Sequence, residues 1–202
     1  MAFLDKHGAI GALALRDAVE LELGCGTRKR SPSAIGIDMR DFDCVDVVGD
    51  ALEVLTALPS ESVDRIRSFH FLEHVSDVSA LVVEAARVLK TDGLIEVVTP
   101  HFSNPHYYSD STHKTPFGLY SMSYFAADAV FKRRVPRYLS VPLRLESVAL
   151  EFKSSPPFYA RHAFKRAIGR IVNMNRGFQE LYEECFCWVF PCYEVRYRLR
   201  KT

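Results

Sequence analysis

Residues 19–26 constrain the fold of this chain more than any other stretch. Val19, Leu21 and Leu23 alternate with Glu20 and Glu22, and the alternation stops at Gly24-Cys25-Gly26. An apolar/polar period of two reads as a strand. Glycines at the carboxyl end of a strand let the backbone approach a ligand closely, where a β-carbon would collide. The stretch therefore predicts the opening strand of an α/β sheet and a ligand loop at its exit.

The segments that follow repeat the theme. Residues 34–38, 44–48 and 63–69 read as three more short strands. Val78, Leu81, Val82, Ala85, Val88 and Leu89 fall on one helical face, and Ser76 or Asp77 is placed to cap its first amides. Lys90-Thr91-Asp92-Gly93 reads as the helix end, with a cation in the last turn and a glycine suited to a left-handed exit. Residues 94–99 form an apolar run broken only by Glu96, as expected of a strand covered on both faces. Beyond Pro100 the pattern loosens into a polar-aromatic loop over 100–118, and loops of that length are often functional. Residues 148–152 read as a strand, 159–172 as a helix, and Val195, Tyr197 and Leu199 as alternate positions of a last strand. Strands and helices alternating in this way predict an open, mostly parallel sheet, whose ligands sit at the carboxyl ends of the strands.

Several of those strand exits carry chemistry. The second strand ends in Gly36-Ile37-Asp38, where a carboxylate can accept bonds from two ribose hydroxyls. The third runs into Gly49-Asp50-Ala51 and the fourth into Phe71-Leu72-Glu73-His74, with Arg87-Val88-Leu89-Lys90-x-x-Gly93 downstream. With Glu22-x-Gly24-x-Gly26 ahead of them, the ordered set resembles the class I S-adenosylmethionine-dependent methyltransferases over residues 19–100, about two fifths of the chain. The resemblance implies a Rossmann-like, doubly wound α/β fold, here with an antiparallel C-terminal strand pair near residues 148 and 195. It implies one methyltransferase domain over residues 1–202: a cofactor core at 19–100, a substrate loop or insert at 101–147, and a strand-helix-strand at 148–202. It implies S-adenosylmethionine as cofactor. Gly24, Cys25 and Gly26 would lie against its methionine part and Glu22 would orient the amino group. Asp38 would hold the ribose, with Met39 beside the adenine and Asp50 and Ala51 facing it. Phe69 or His70 would pass near the cofactor on the substrate side.

Two departures from the family pattern matter. The usual third glycine is replaced by Arg28, and only 12 positions separate Gly26 from Asp38. At ~3.6 residues per turn this leaves no room for a full crossover helix, so that helix is expected to be missing or a single turn. Lys29 and Arg30 could then reach the cofactor carboxylate or an anionic substrate. A nicotinamide dehydrogenase shares the strand-glycine logic, but Lys29 stands at its third glycine and the acid follows too soon.

Methyl transfer requires a nucleophile held in line with the sulfonium methyl, and a hydroxyl acceptor benefits from a base of near-neutral pKa. Five of the seven histidines lie between residues 70 and 113. His70, His101, His106 and His113 are the candidates, with Asp110 as a partner for His113, while His74 reads as part of a structural Leu-Glu-His element. These histidines show no recognised metal-ligand spacing, nor do Cys185-x-Cys187 and Cys192, so no metal is expected. Asn104-Pro105-His106-Tyr107 resembles the Asn-Pro-Pro-Tyr motif of amino-directed nucleic-acid methyltransferases, but it follows the fifth strand instead of the fourth and is read as coincidence.

Charge is divided along the chain: residues 1–129 sum to −8 and residues 130–202 to +9. The basic groups are Lys132-Arg133-Arg134-Arg137, the helix at Arg161–Arg170 and the tail at Arg196–Lys201. They admit an anionic surface or lipid-linked substrate as partner. With five cysteines, no secretory signal and no apolar run near the ~20 residues that cross a bilayer, the expected setting is cytoplasmic, with peripheral membrane contact left open. The expected reaction is methylation of a small-molecule or saccharide acceptor at oxygen. The alternatives are a nucleic-acid methyltransferase using the basic part, or a non-catalytic cofactor-binding regulatory module.

Overall fold

The computed structural model describes residues 3–127 and 130–202. Eight strands form one sheet: β1 (Leu4–Asp5), β2 (Glu20–Leu23), β3 (Ile35–Asp38), β4 (Val47–Val48), β5 (Val63–Phe69), β6 (Leu89–Pro100), β7 (Leu143–Glu151) and β8 (Glu194–Lys201). Their order across the sheet is β1-β4-β3-β2-β5-β6-β8-β7. The five central strands, β4 to β6, are parallel, while β8 runs antiparallel between β6 and β7. This is the doubly wound sheet with an antiparallel C-terminal pair expected above. The strand order reverses between β2 and β5, so the crevice for a ligand opens at their carboxyl ends.

The central strands hold the core. Leu21, Ile35, Ile37, Val47 and Val63 are completely buried, as fits strands covered on both faces. Helix α1 (Ala51–Ala57) and helix α2 (Val78–Val88) pack together on the sheet. α2 buries Val78, Leu81, Val82, Ala85 and Val88, the face read from the sequence, and Asp77 caps it by accepting from the Ala80 amide at 2.9 Å. The guanidinium of Arg87 donates to the carbonyls of Leu55 and Leu58 at the end of α1.

Four local expectations are corrected. α2 ends at Val88, and residues 89–93 already belong to β6. The left-handed residue there is Asp92 (φ 63), not Gly93. Lys90 is drawn away from the helix end by Asp64, which it meets at 2.8 Å. β7 begins five residues earlier than position 148. Two helices were not legible from periodicity, α1 and α4 (Arg176–Cys185); α3 (Tyr159–Val172) stands as expected.

The crossover from β2 to β3 contains no helix. Side chains supply the hydrogen bonds a helix would have made. The amides of Arg30 and Ser31 donate to the buried Glu22 carboxylate at 2.9–3.2 Å. The ammonium of Lys29 donates to the Ala34 carbonyl and pairs with Asp46 at 2.7 Å. Asp46 in turn accepts from the Gly36 amide. Burial would raise the Asp46 pKa, but Lys29 and this amide hold the carboxyl below its usual range.

Candidate cofactor and acceptor site

The loop after β2 turns on two glycines in the left-handed region, Gly24 at φ +65 and Gly26 at φ +59. At Gly24 a β-carbon would lie 2.4 Å from the ring of Phe71, whereas at Gly26 it would meet nothing within 4 Å. Gly24 thus lets the loop pack directly on the segment that leaves β5. The amide of Gly26 donates to Asp38 Oδ2 at 2.8 Å, and the Arg40 amide donates to Oδ1 at 2.9 Å. A carboxylate accepts about four hydrogen bonds, so Asp38 keeps lone pairs for a diol. Beside it the Met39 side chain is 72% exposed, an apolar surface with no protein neighbour covering it.

Cys25 is buried and its thiol is pushed up to about 12, by burial first and then by neighbouring Cys44, so it is a neutral packing group. Asp50 caps α1 by accepting from the amides of Leu52 and Glu53, and Ala51 is buried at the helix start. The ring of Phe69 is covered by the Arg30 guanidinium 4.7 Å from its centroid. Glu22 accepts from the loop amides of Arg30 and Ser31, and Lys29 is paired with Asp46. Of the two cations expected to face an anion, only Arg30 stays at the crevice.

The histidines separate into distinct environments. His70 (φ 53) is held between Glu194 at 2.9 Å and Glu73 at 3.4 Å. The bond to Glu194 and the neighbouring Glu73 push its pKa up to about 9, against the effect of burial. It is therefore a cation at neutral pH, which alters its expected role: it can stabilise negative charge but has no lone pair for a proton. His101 is completely buried. The Ser103 amide donates to its Nδ1 at 3.1 Å, leaving Nε2–H to donate to Glu183 at 2.8 Å. Both ring nitrogens are thus committed to packing, and no edge reaches an acceptor. His106 is exposed, with only an edge contact to Tyr193. Asn104 bonds the Tyr193 carbonyl and caps its own 3-10 turn, a structural role for the Asn-Pro-His-Tyr stretch. His113 donates from Nδ1 to the Tyr107 carbonyl at 2.8 Å and stacks on the Tyr107 ring. Its expected partner Asp110 is 3.7 Å away and is bonded instead to Thr112.

Glu194 and Lys153 are the residues sequence reasoning missed. Glu194 lies 124 positions from His70 and reaches it only because β8 pairs with β6. No local signal announces such a contact. Glu194 also accepts from Lys153. Burial would raise its carboxyl, but these two donors hold it down to about 2.

The basic tail is largely neutralised. Arg196, Arg198, Arg200 and Lys201 pair with Glu151, Glu96, Glu146 and Glu61. The α3–α4 region is different. Phe164, Ile171, Phe178, Leu181, Trp188 and Phe190 are all exposed, flanked along α3 by Arg161 and Lys165. No helix among the described residues is long and apolar enough to cross a membrane.

A family model described as a methyltransferase domain matches residues 28–97. No curated protein sequence matches the chain. Solved structures share the architecture. A SAM-dependent methyltransferase from Archaeoglobus fulgidus matches with TM-score 0.58 and 19% identity, covering 91% of this chain and 86% of that one. Phosphoethanolamine N-methyltransferase 2 of Haemonchus contortus, solved with S-adenosyl-L-methionine, matches with TM-score 0.53 and 14% identity, over 96% of this chain and 51% of that one. A geranyl diphosphate methyltransferase solved with SAM matches with TM-score 0.53 and 13% identity, over 92% and 78%. At such identities the likeness speaks for the fold. The domain match is confined to residues 28–97, where the chain is similar to a methyltransferase domain, and the solved structures show a shared fold.

Proposed function

We propose that the chain methylates a hydroxyl oxygen of a saccharide or other small-molecule acceptor, presented at an anionic membrane surface. The observation that carries the acceptor side is the packing of Gly24 on Phe71. It sets the cofactor loop against the segment bearing His70, Glu73 and His74. Bound S-adenosylmethionine supplies a methyl group already activated by the sulfonium. Gly24 and Gly26 admit its methionine part, Asp38 accepts from its ribose hydroxyls, and Met39 with Asp50 and Ala51 borders the adenine. His70, as a cation, steadies negative charge near the transferred methyl. His106, the exposed histidine of the 100–118 loop, takes the hydroxyl proton. The single-domain division at 19–100, 101–147 and 148–202 belongs to this reading, with the middle segment facing the acceptor.

The membrane side rests on the exposed aromatic and aliphatic face of α3 and α4. Monomeric soluble proteins rarely expose so contiguous an apolar patch without a use for it. Basic residues near an anionic leaflet contribute about 1 kcal/mol each. The paired state of the tail makes nucleic acid a poorer fit.

Calorimetric titration with S-adenosylmethionine, beside an Asp38→Ala variant, tests the cofactor assignment: micromolar binding lost by the variant supports it, and equal binding removes it. Transfer of a labelled methyl group to sugars, with His106→Ala slower by about 10²–10⁴-fold, tests the acceptor chemistry. Binding to phosphatidylserine vesicles, weakened by Phe164→Ser and by salt, tests the surface; indifference to both removes it.

A further inference from the structure

Glu73 presents an unsolved electrostatic problem. It is completely buried, and neither carboxylate oxygen has a hydrogen-bond partner. The nearest cation, His70, stands 3.4 Å from Oε1 and compensates the carboxylate only in part, since its closer bond, at 2.9 Å, goes to Glu194. Burying a carboxylate without donors costs several kcal/mol, so a native fold keeps one there when something compensates it.

Two imidazoles lie close to it. One ligand atom from each of Glu73, His74 and His113 lies within 4.8 Å of the others. Hydrogen bonds settle the tautomers. His113 Nδ1 is 2.8 Å from the Tyr107 carbonyl, which can only accept, so this nitrogen carries the proton. His74 Nδ1 is 2.9 Å from Thr112 Oγ1, whose own proton goes to Asp110 Oδ1 at 2.6 Å, so His74 also donates from Nδ1. Each ring is left with a lone pair on Nε2. Metal-ligating histidines are held in this way, with the second ring nitrogen donating to a carbonyl or an anchored polar group. Tyr107 stacks on His113 and fixes its ring plane.

We propose that Glu73, His74 and His113 bind a divalent transition-metal ion of the zinc type. Two histidines and a glutamate are a known zinc-binding set, and three protein ligands leave a position open. The ion adds to the compensation of a carboxylate that has His70 beside it but no hydrogen-bond donor. Zinc–ligand bonds of about 2.0–2.1 Å require the three atoms to close in by roughly 1 Å, which the half-buried His74 can do by turning about its side-chain bonds. The sequence showed no ligand spacing because Glu73 and His74 are adjacent while His113 comes from the far end of a loop.

The test uses the metal alone. The full chain is stripped with chelator and titrated with Co²⁺ and Zn²⁺, following the d–d absorption of Co²⁺ and the heat of Zn²⁺ binding. One equivalent is expected. His74→Ala and His113→Ala should each weaken binding at least tenfold, while Cys185→Ser/Cys187→Ser leaves it unchanged; circular dichroism confirms that each variant is folded. Should Glu73→Gln fail to fold, the half-buried His74→Ala still decides the matter. Absence of saturable micromolar binding by the wild type, unchanged affinity in a folded His74→Ala/His113→Ala double variant, or loss of binding in the cysteine variant overturns the assignment.

Discussion

Substituting alanine for each loop glycine separates two kinds of strain. Both residues hold left-handed φ, where a non-glycine residue costs roughly 1–2 kcal/mol. At Gly26 that is the whole effect, because a β-carbon there meets nothing within 4 Å. At Gly24 the new carbon would stand 2.4 Å from the Phe71 ring, far inside contact distance. Overpacking of this kind adds about 1–3 kcal/mol. Gly24→Ala should therefore be less stable than Gly26→Ala by about 1–3 kcal/mol, or roughly 2–4 °C in Tm for each kcal/mol in a chain of this size. Cutting the side chain back to Cβ removes the Cγ and Cδ2 contacts and should restore part of the loss, so a Gly24→Ala/Phe71→Ala double-mutant cycle should show favourable coupling. Urea unfolding of the four proteins measures both quantities. Equal destabilisation at the two glycines, or strict additivity in the cycle, would refute the claim that Phe71 forms the floor of the cofactor loop.

Lys29→Met should destabilise the protein by about 1–3 kcal/mol, because it leaves Asp46 with only the Gly36 amide. The same variant should change S-adenosylmethionine affinity little, and a large loss of affinity in a fully stable variant would return Lys29 to the cofactor. Glu194 predicts an acid-dependent stability. A carboxyl held at about 2 in the folded state, against 4.5 ordinarily, contributes stability that is present above pH 4.5 and is lost as pH falls toward 2. The contribution is on the order of 2–3 kcal/mol, and Glu194→Gln should flatten the stability profile across that window in urea unfolding at graded pH. Arg87→Ala should loosen α1 and α2 together, since its guanidinium bonds the carbonyls that end α1. Amide exchange at Leu58 and the last turn of α1 should then quicken, with protection of β7 and β8 unchanged.

Periodicity and turn chemistry were enough for the parallel strands from Glu20 to Phe69, the Asp77-capped face of α2 and the absent crossover helix. Each depends on residues close in the chain: alternation, a capping oxygen, or too few residues for a turn of helix. The positions expected to meet the cofactor, Gly24, Gly26, Asp38 and Met39, gather at one sheet end because parallel strands bring their exits together. Helix α1 was lost in the reading because seven residues scarcely show a period. α4 was lost because the apolar residues Phe178 and Leu181 face outward and mimic no core stripe. The fate of the histidines was decided by tertiary structure alone. Whether an imidazole is a cation like His70, a buried strut like His101 or a free lone pair like that of His113 depends on Glu194, Glu183 and the Tyr107 carbonyl. Glu194 and Glu183 lie more than 80 positions from their partners, and even Tyr107 reaches His113 only through the path of its loop. Proton affinity is set by burial and by neighbours in space. A linear sequence names the titratable groups, but the packing of β8 against β6 and of α4 under the 100–118 loop determines what each can do.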